Sequence, residues 1–238
     1  MSIMASARFD AEVLALPDVP VVARRLAVSG SNVQIGRAVT ELAIARYGMR
    51  PEDLLGDGRY VRARRTYFRR NYPIHLRRMR GVAGAFGLHP DDDRFDFSIL
   101  RSKRRPAVPS NLNADSTYTP PAASETGSGT LSRWADLQNK VEDQLELYIM
   151  EWRSVGASIA SVAVHVDDLL SGTIAGINAT GLAVSAVGTG STGNGAADRP
   201  TRLGGVQTVG LHELQLMRLV LDTCRSVDDA QAALLAAR

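Results

Sequence analysis

The sequence holds a single cysteine, Cys224, which excludes an internal disulfide framework and a cysteine-rich zinc site. Aromatic residues make up only 5%, so a core must rest on Ala, Val, Leu and Ile. No apolar run reaches the roughly 20 residues of a membrane-spanning helix, so no membrane role is expected. The first twenty residues carry Asp10 and Glu12 and lack the apolar segment of a signal peptide, so a cytoplasmic protein is the simplest reading. There is no phosphate-binding loop and no dinucleotide fingerprint; Gly188-Thr189-Gly190 lies too close to a low-complexity stretch to count. His75, His89, His165 and His212 are scattered without ligand spacing, so neither metal nor cofactor is expected.

What is present fits a globular protein. The 238 residues are 45% hydrophobic and 22% charged, enough for one large domain or two small ones. The net charge of +3 is local: Arg59, Arg62, Arg64, Arg65, Arg69, Arg70, Arg77, Arg78 and Arg80 crowd one stretch. Tyr60, Tyr67, Phe68 and Tyr72 interleave with them and could stack on bases. Two readings follow: contact with an acidic partner, or a solvated face of two helices with the aromatics turned inward. Nucleic acid is the less expected partner. Cys224, in Leu-Asp-Thr-Cys, has no cue for an activating neighbour and reads as a small buried helix residue rather than a nucleophile.

Three zones divide the chain. Residues 1–100 read mostly as helix, 101–132 as a loop rich in Pro, Ser, Thr and Gly, and 145–238 as strands followed by helices. Pro20–Val28 reads as a short strand, with Ser31 or Asn32 capping a helix from about Val33 to Tyr47 that Gly48 stops. Further helices are expected over about Val61–Asn71 and Pro73–Phe86. Leu147–Glu151, Ser158–Val164 and Gly181–Val187 read as strands. Gly172–Gly181 reads as a tight connection, and Thr189–Gly195 as a flexible loop. Leu211–Cys224 reads as an amphipathic helix with Leu214, Met217, Val220 and Leu221 on one face. Ser226-Val227-Asp228-Asp229 opens a last helix, and strands without a complete sheet suggest a fold cut short.

Five segments in order carry a resemblance: Gly30-Ser31-Asn32-Val33-Gln34-Ile35-Gly36-Arg37-Ala38; Tyr72-Pro73 with Arg80-Gly81-Val82-Ala83-Gly84; Ser116–Pro121 ending in Leu131–Leu137; Asp168–Gly172 with Gly176–Val184; and Val209–Gln215 with Leu219–Cys224. Together they resemble the penicillin acyltransferase-type N-terminal nucleophile (Ntn) family, autoproteolytic acyltransferases and amide hydrolases related to the choloylglycine hydrolases. The resemblance implies an α+β fold, part of an αββα sandwich with a helical N-terminal segment. It divides the chain into a helical region, 1–114, and an incomplete core, 115–238. In this family a precursor cuts itself before a cysteine, and the freed amine activates that side chain. Substrates are small acyl amides or acyl thioesters such as acyl-CoA.

Carried over residue by residue, the family's cysteine position holds Asp115. Arg133 and Asp136 match its charged pair, Trp134 replaces an Asn, and Asn178 matches an Asn that helps form the oxyanion site. Ser116 is an alternative nucleophile if the cut falls one residue later. The family's distal strands have no counterpart here. A degenerate or truncated homologue with weak or no activity is therefore expected. A homo-oligomer or a complementing second chain could supply what is missing. The alternatives are an active enzyme using Ser116, or a non-enzymatic protein meeting an acidic partner through Arg59–Arg80.

Overall fold

The computed structural model describes residues 6–10, 21–101, 113–120, 122, 129–136, 145–156, 158–166, 168–186, 202–203, 206–207 and 209–237. In chain order the elements are β1 (Ser6–Asp10), β2 (Val21–Gly30), α1 (Asn32–Tyr47), a 3-10 turn (Pro51–Leu54), α2 (Gly58–Asn71), α3 (Pro73–Ala85), β3 (Asn113–Thr119), β4 (Thr130–Asp136), β5 (Leu145–Ser154), β6 (Ser161–Val166), β7 (Thr173–Asn178), β8 (Ala183–Ser185), β9 (Arg202–Leu203), β10 (Val206–Gln207), α4 (Glu213–Thr223) and α5 (Val227–Ala236). The fold is α+β. Among the described residues, no helix is long and apolar enough to cross a membrane.

A six-stranded mixed sheet forms the frame, in the order β1-β2-β5-β6-β7-β8. β2 and β5 run parallel over ten residue pairs, from Val21↔Leu145 to Gly30↔Ser154, and the other neighbours are antiparallel. Strand alternation separates two faces. Leu26 and Val28, then Tyr148, Met150 and Trp152, then Ala163 and His165 turn to one side and are buried. On the opposite side Arg25 meets Glu151, and Val162 and Ile177 are exposed at 43% and 36%.

Helices cover the buried face. Ser31 caps α1 in a reciprocal box with Gln34, and Gly48 ends the helix at φ 58°, a left-handed turn that favours glycine. Helix α3 lies along α1 at a very close approach. A Cβ on Gly36 would stand 2.1 Å from the Arg78 carbonyl oxygen, and one on Gly81 2.0 Å from that of Val33. Only glycine at both positions lets the two backbones meet this way. The first two resembling segments are thus partners in one helix crossing. Helix α4 packs on β7 in the same manner, because a Cβ on Gly176 would meet Leu221 and Ala163 at 2.7 and 2.8 Å.

Several expectations are corrected. The stretch 101–132 is not simply loop: β3 and β4 pair antiparallel, from Asn113↔Asp136 to Thr119↔Thr130. Thr117, Tyr118, Thr119, Thr130 and Leu131 give that segment strand propensity which its overall Pro, Ser and Gly content conceals. Gly172–Gly181 contains strand β7, with Gly176 serving helix packing rather than a turn. Residues 1–100 contribute strand β1, which was not expected, beside β2, where the strand expected over Pro20–Val28 runs on to Gly30. The division expected at 114/115 falls inside β3, and the main sheet draws strands from both sides of it. The run 189–195 lies outside the described residues.

Candidate functional site

The sequence places the candidate chemistry on the β3–β4 ribbon and on Asn178. The ribbon register sets Asp115 opposite Trp134, Ser116 opposite Arg133, and Asn113 opposite Asp136. Four of the five expected residues therefore share one ribbon. The side chains of Asp115, Arg133 and Asp136 lie outside what the structure describes. The Ser116 hydroxyl is 2.6 Å from the Ser185 hydroxyl on β8. Ser185 pairs with Ala175, and Ala175 with Val164, which puts Ser185 on the sheet face away from the helices. The ribbon thus touches that outer face.

Asn178 is turned the other way. Its amide nitrogen donates to the carbonyls of Leu221, at 3.3 Å, and Cys224, at 2.8 Å, at the end of α4. Its oxygen accepts from Thr180 N–H, the Thr180 hydroxyl and Leu182 N–H at 3.1, 2.7 and 3.2 Å. Both amide hydrogens are engaged, and the residue pins the β7–β8 turn to the helix layer. Ser116 and Asn178 lie on opposite sides of the sheet, so the structure does not bring them together.

A second cluster escaped the sequence reading. Arg78 on α3 donates to both oxygens of Asp222 on α4, at 2.6 and 3.0 Å, and its Nε donates to Asn32 at 3.0 Å. Arg218, one helical turn before Asp222, donates to that carboxylate at 2.9 Å and to the Ser161 hydroxyl at 2.7 Å. The Tyr72 hydroxyl donates to Asp222 as well. Both guanidinium groups lie over the Trp152 ring, at 4.6 and 5.2 Å from its centre. Also on α4, Gln215 accepts from Arg64 at 2.7 Å and donates to the Ser98 carbonyl at 3.0 Å. Gln215, Arg218 and Asp222 form a polar stripe on α4. The buried face of that helix is therefore not the expected Leu214, Met217, Val220 and Leu221, because Leu214 and Met217 are only partly covered.

Burial raises the Asp222 carboxyl, but the charges of Arg218 and Arg78 and the bonds from Arg78 and Tyr72 outweigh it and hold its pKa at about 2. Burial and the same carboxylate push the Tyr72 hydroxyl well up. His75 stacks against Phe68 and Tyr72 at 4.8 and 5.3 Å, and burial with the Arg78 charge lowers it to about 3. His165 bonds Thr173 at 2.9 Å, and burial with the Arg218 charge lowers it to about 3. Arg78, Arg218 and Asp222 have no exposed surface. The cluster cannot meet a substrate. Its work is to lock residues of α1 and α3 to β5, β6 and α4.

The remaining candidates have structural employment. His212 caps α4, accepting from Leu214 N–H at 3.3 Å, and His89 accepts from Asp91 N–H at 3.2 Å. Cys224 is buried at the end of α4, where burial pushes its thiol up and away from the reactive thiolate. Asp168 accepts from Leu100 N–H, Leu170 N–H and the Ser171 hydroxyl, at 2.8, 2.9 and 2.5 Å, closing the corner between β6 and β7. The arginine cluster divides: Arg64, Arg65 and Arg78 are buried, and Phe68 and Tyr72 are fully enclosed. Two signals in the sequence could have marked the buried network. One is the charged residue of α3 set between Ile74, Leu76, Met79 and Val82. The other is the Arg218–Asp222 spacing of four. Compared with family models, curated proteins and solved structures, the chain matches none.

Proposed function

We propose that this chain is a homologue of the Ntn acyltransferases and amide hydrolases that act on small acyl amides or acyl thioesters, and that its catalysis is weak or lost. One observation carries the fold half of this reading. Helices cover one face of the sheet, and the β3–β4 ribbon, which bears Asp115, Ser116, Arg133 and Asp136, touches the other. That layering is what part of an αββα sandwich requires, with the ribbon belonging to the second sheet.

Three features support the loss of activity. Asp115 occupies the nucleophile position, and a carboxylate attacks an amide less well than a thiolate and would form an anhydride. Trp134 replaces the expected Asn. The amide of Asn178 is spent on the carbonyls of Leu221 and Cys224 and faces away from the ribbon, so it offers no donor to an oxyanion there. The alternative, a Ser116 nucleophile freed by a cut after Asp115, is favoured only by the partial exposure of Ser116.

Two measurements test the reading. Intact mass of the purified chain, followed by incubation with short acyl thioesters, is expected to show one uncut chain and no acyl adduct. A cut before Ser116 that Ser116→Ala abolishes would establish the active alternative. The double substitution Ser116→Cys with Ser185→Cys is expected to cross-link on mild oxidation, because the two hydroxyls meet at 2.6 Å across the ribbon and the sheet. A pair that stays reduced would remove the support for the family.

A further inference from the structure

The structure sorts the nine arginines between Gly58 and Pro90, a stretch with no acidic residue, into two groups. Arg62 and Arg65 bond Asp93, Arg64 bonds Gln215 and Tyr60, and Arg78 bonds Asp222. Arg59, Arg69, Arg70, Arg77 and Arg80 form no ion pair among the described residues, and all but the partly covered Arg77 are exposed.

Helix stability does not account for this second group. Arg69 and Arg70 stand in the last turn of α2, where a cation suits the helix dipole. Arg59 stands in its first turn, where a cation is unfavourable, and Arg77 and Arg80 occupy the middle of α3. Helix periodicity puts Arg77 and Arg80 on one face of α3 with the exposed Pro73 and Gly84. Arg69 and Arg70 lie at the end of α2, three and two residues before Tyr72, where the chain turns into α3.

The neighbours of these arginines select the partner. Tyr72 and Phe68 are enclosed, the Tyr67 hydroxyl donates to the Ala237 carbonyl at 2.8 Å, and the Tyr60 hydroxyl accepts from Arg64 at 3.0 Å, so each of the four rings among these arginines is buried or held by a contact within the chain. None of the exposed large apolar residues is carried by α2 or α3; the nearest in the fold are single residues, Val33 on α1 and Leu55 ahead of α2, and not the apolar cluster of a protein interface. Apart from arginines, the exposed residues of α2 and α3 are small or polar: Ala63, Asn71, Pro73 and Gly84. Such a surface can approach a regular backbone of phosphates closely and offers nothing to read a base.

We propose that the α2–α3 junction binds the phosphate backbone of duplex nucleic acid without regard to sequence, through Arg69, Arg70, Arg77 and Arg80, with Arg59 extending the contact. This is independent of the enzymatic reading. Fluorescence anisotropy of the full chain with a labelled duplex DNA of arbitrary sequence, at a series of salt concentrations, tests it. The duplex should bind in the micromolar range at low salt, with a log–log salt slope of about −3.6 if four phosphates are neutralised. The triple substitution Arg69→Gln, Arg70→Gln and Arg80→Gln should weaken binding at least about tenfold. Arg225→Gln, which removes an exposed arginine elsewhere, should leave it unchanged, and melting curves should show both variants folded. Three results would overturn the proposal: no duplex binding at low salt, a triple variant that binds like Arg225→Gln, or tighter binding of the matching single strand or of polyglutamate than of the duplex.

Discussion

Arg78 and Asp222 stand 144 residues apart in the chain and meet in two hydrogen bonds at 2.6 and 3.0 Å, with neither side chain exposed. Asp222 is the carboxylate that both Arg78 and Arg218 bond. Removing it leaves two buried cations without a counter-charge, which costs more than a surface pair of the same geometry. Asp222→Asn should lower stability by about 3–5 kcal/mol, read as a shift in urea midpoint. A change below about 1 kcal/mol would contradict a buried, dry network.

The two buried histidines set the response to acid. Both His75 and His165 have pKa values lowered to about 3, so the folded chain keeps them neutral while the unfolded chain protonates them below about 6.5. The unfolded state then binds more protons, so stability falls as pH drops from about 6.5 towards 3. Together they should remove about 2.7 kcal/mol per pH unit in the lower part of that window. Protonation of Asp222, whose ordinary value of 3.8 is held down to about 2, adds a further loss below pH 3.8. Urea midpoints that stay level between pH 7 and pH 4.5 would show that these rings are not buried neutral.

The helix crossing gives a paired test. Gly81→Ala drives a methyl into the Val33 carbonyl and should cost about 1–3 kcal/mol or more as α1 and α3 separate. Gly84→Ala lies on the same helix with nothing within 4 Å of the added atom, and should stabilise by about 0.4–1 kcal/mol through the unfolded state. Thermal melts of the two variants should move in opposite directions.

The outer face of the sheet predicts association. Val162 and Ile177 are cross-strand partners on that face, and both are exposed. Exposed apolar sheet surface favours self-association. Sedimentation should show a dimer or larger species that Val162→Lys with Ile177→Lys reduces to monomer. A wild-type chain that stays monomeric at high concentration would mean this face is content in water.

Local order was legible where chemistry is local. The Ser31 cap, the Gly48 stop, the start of α3 at Pro73 and the Ser226 box all follow from side chains acting on their own backbone. The β3–β4 ribbon was hidden because its alternation lies between stretches of Pro, Ser and Gly. The Arg78–Asp222–Arg218 network was hidden for a different reason. Each residue alone reads as a surface charge, and only the α3–β5–α4 packing gives it a partner. Asn178 was placed by resemblance in an oxyanion role, while its geometry serves the junction between β7 and α4.

The proposed loss of catalysis rests most directly on whether the bond before Ser116 is ever cut. Intact mass spectrometry of the purified chain after prolonged incubation at neutral pH reads this in one step. One uncut species at the full 25.6 kDa is expected. Two fragments divided between Asp115 and Ser116, absent from Ser116→Ala, would show a working autoproteolytic site and contradict the reading.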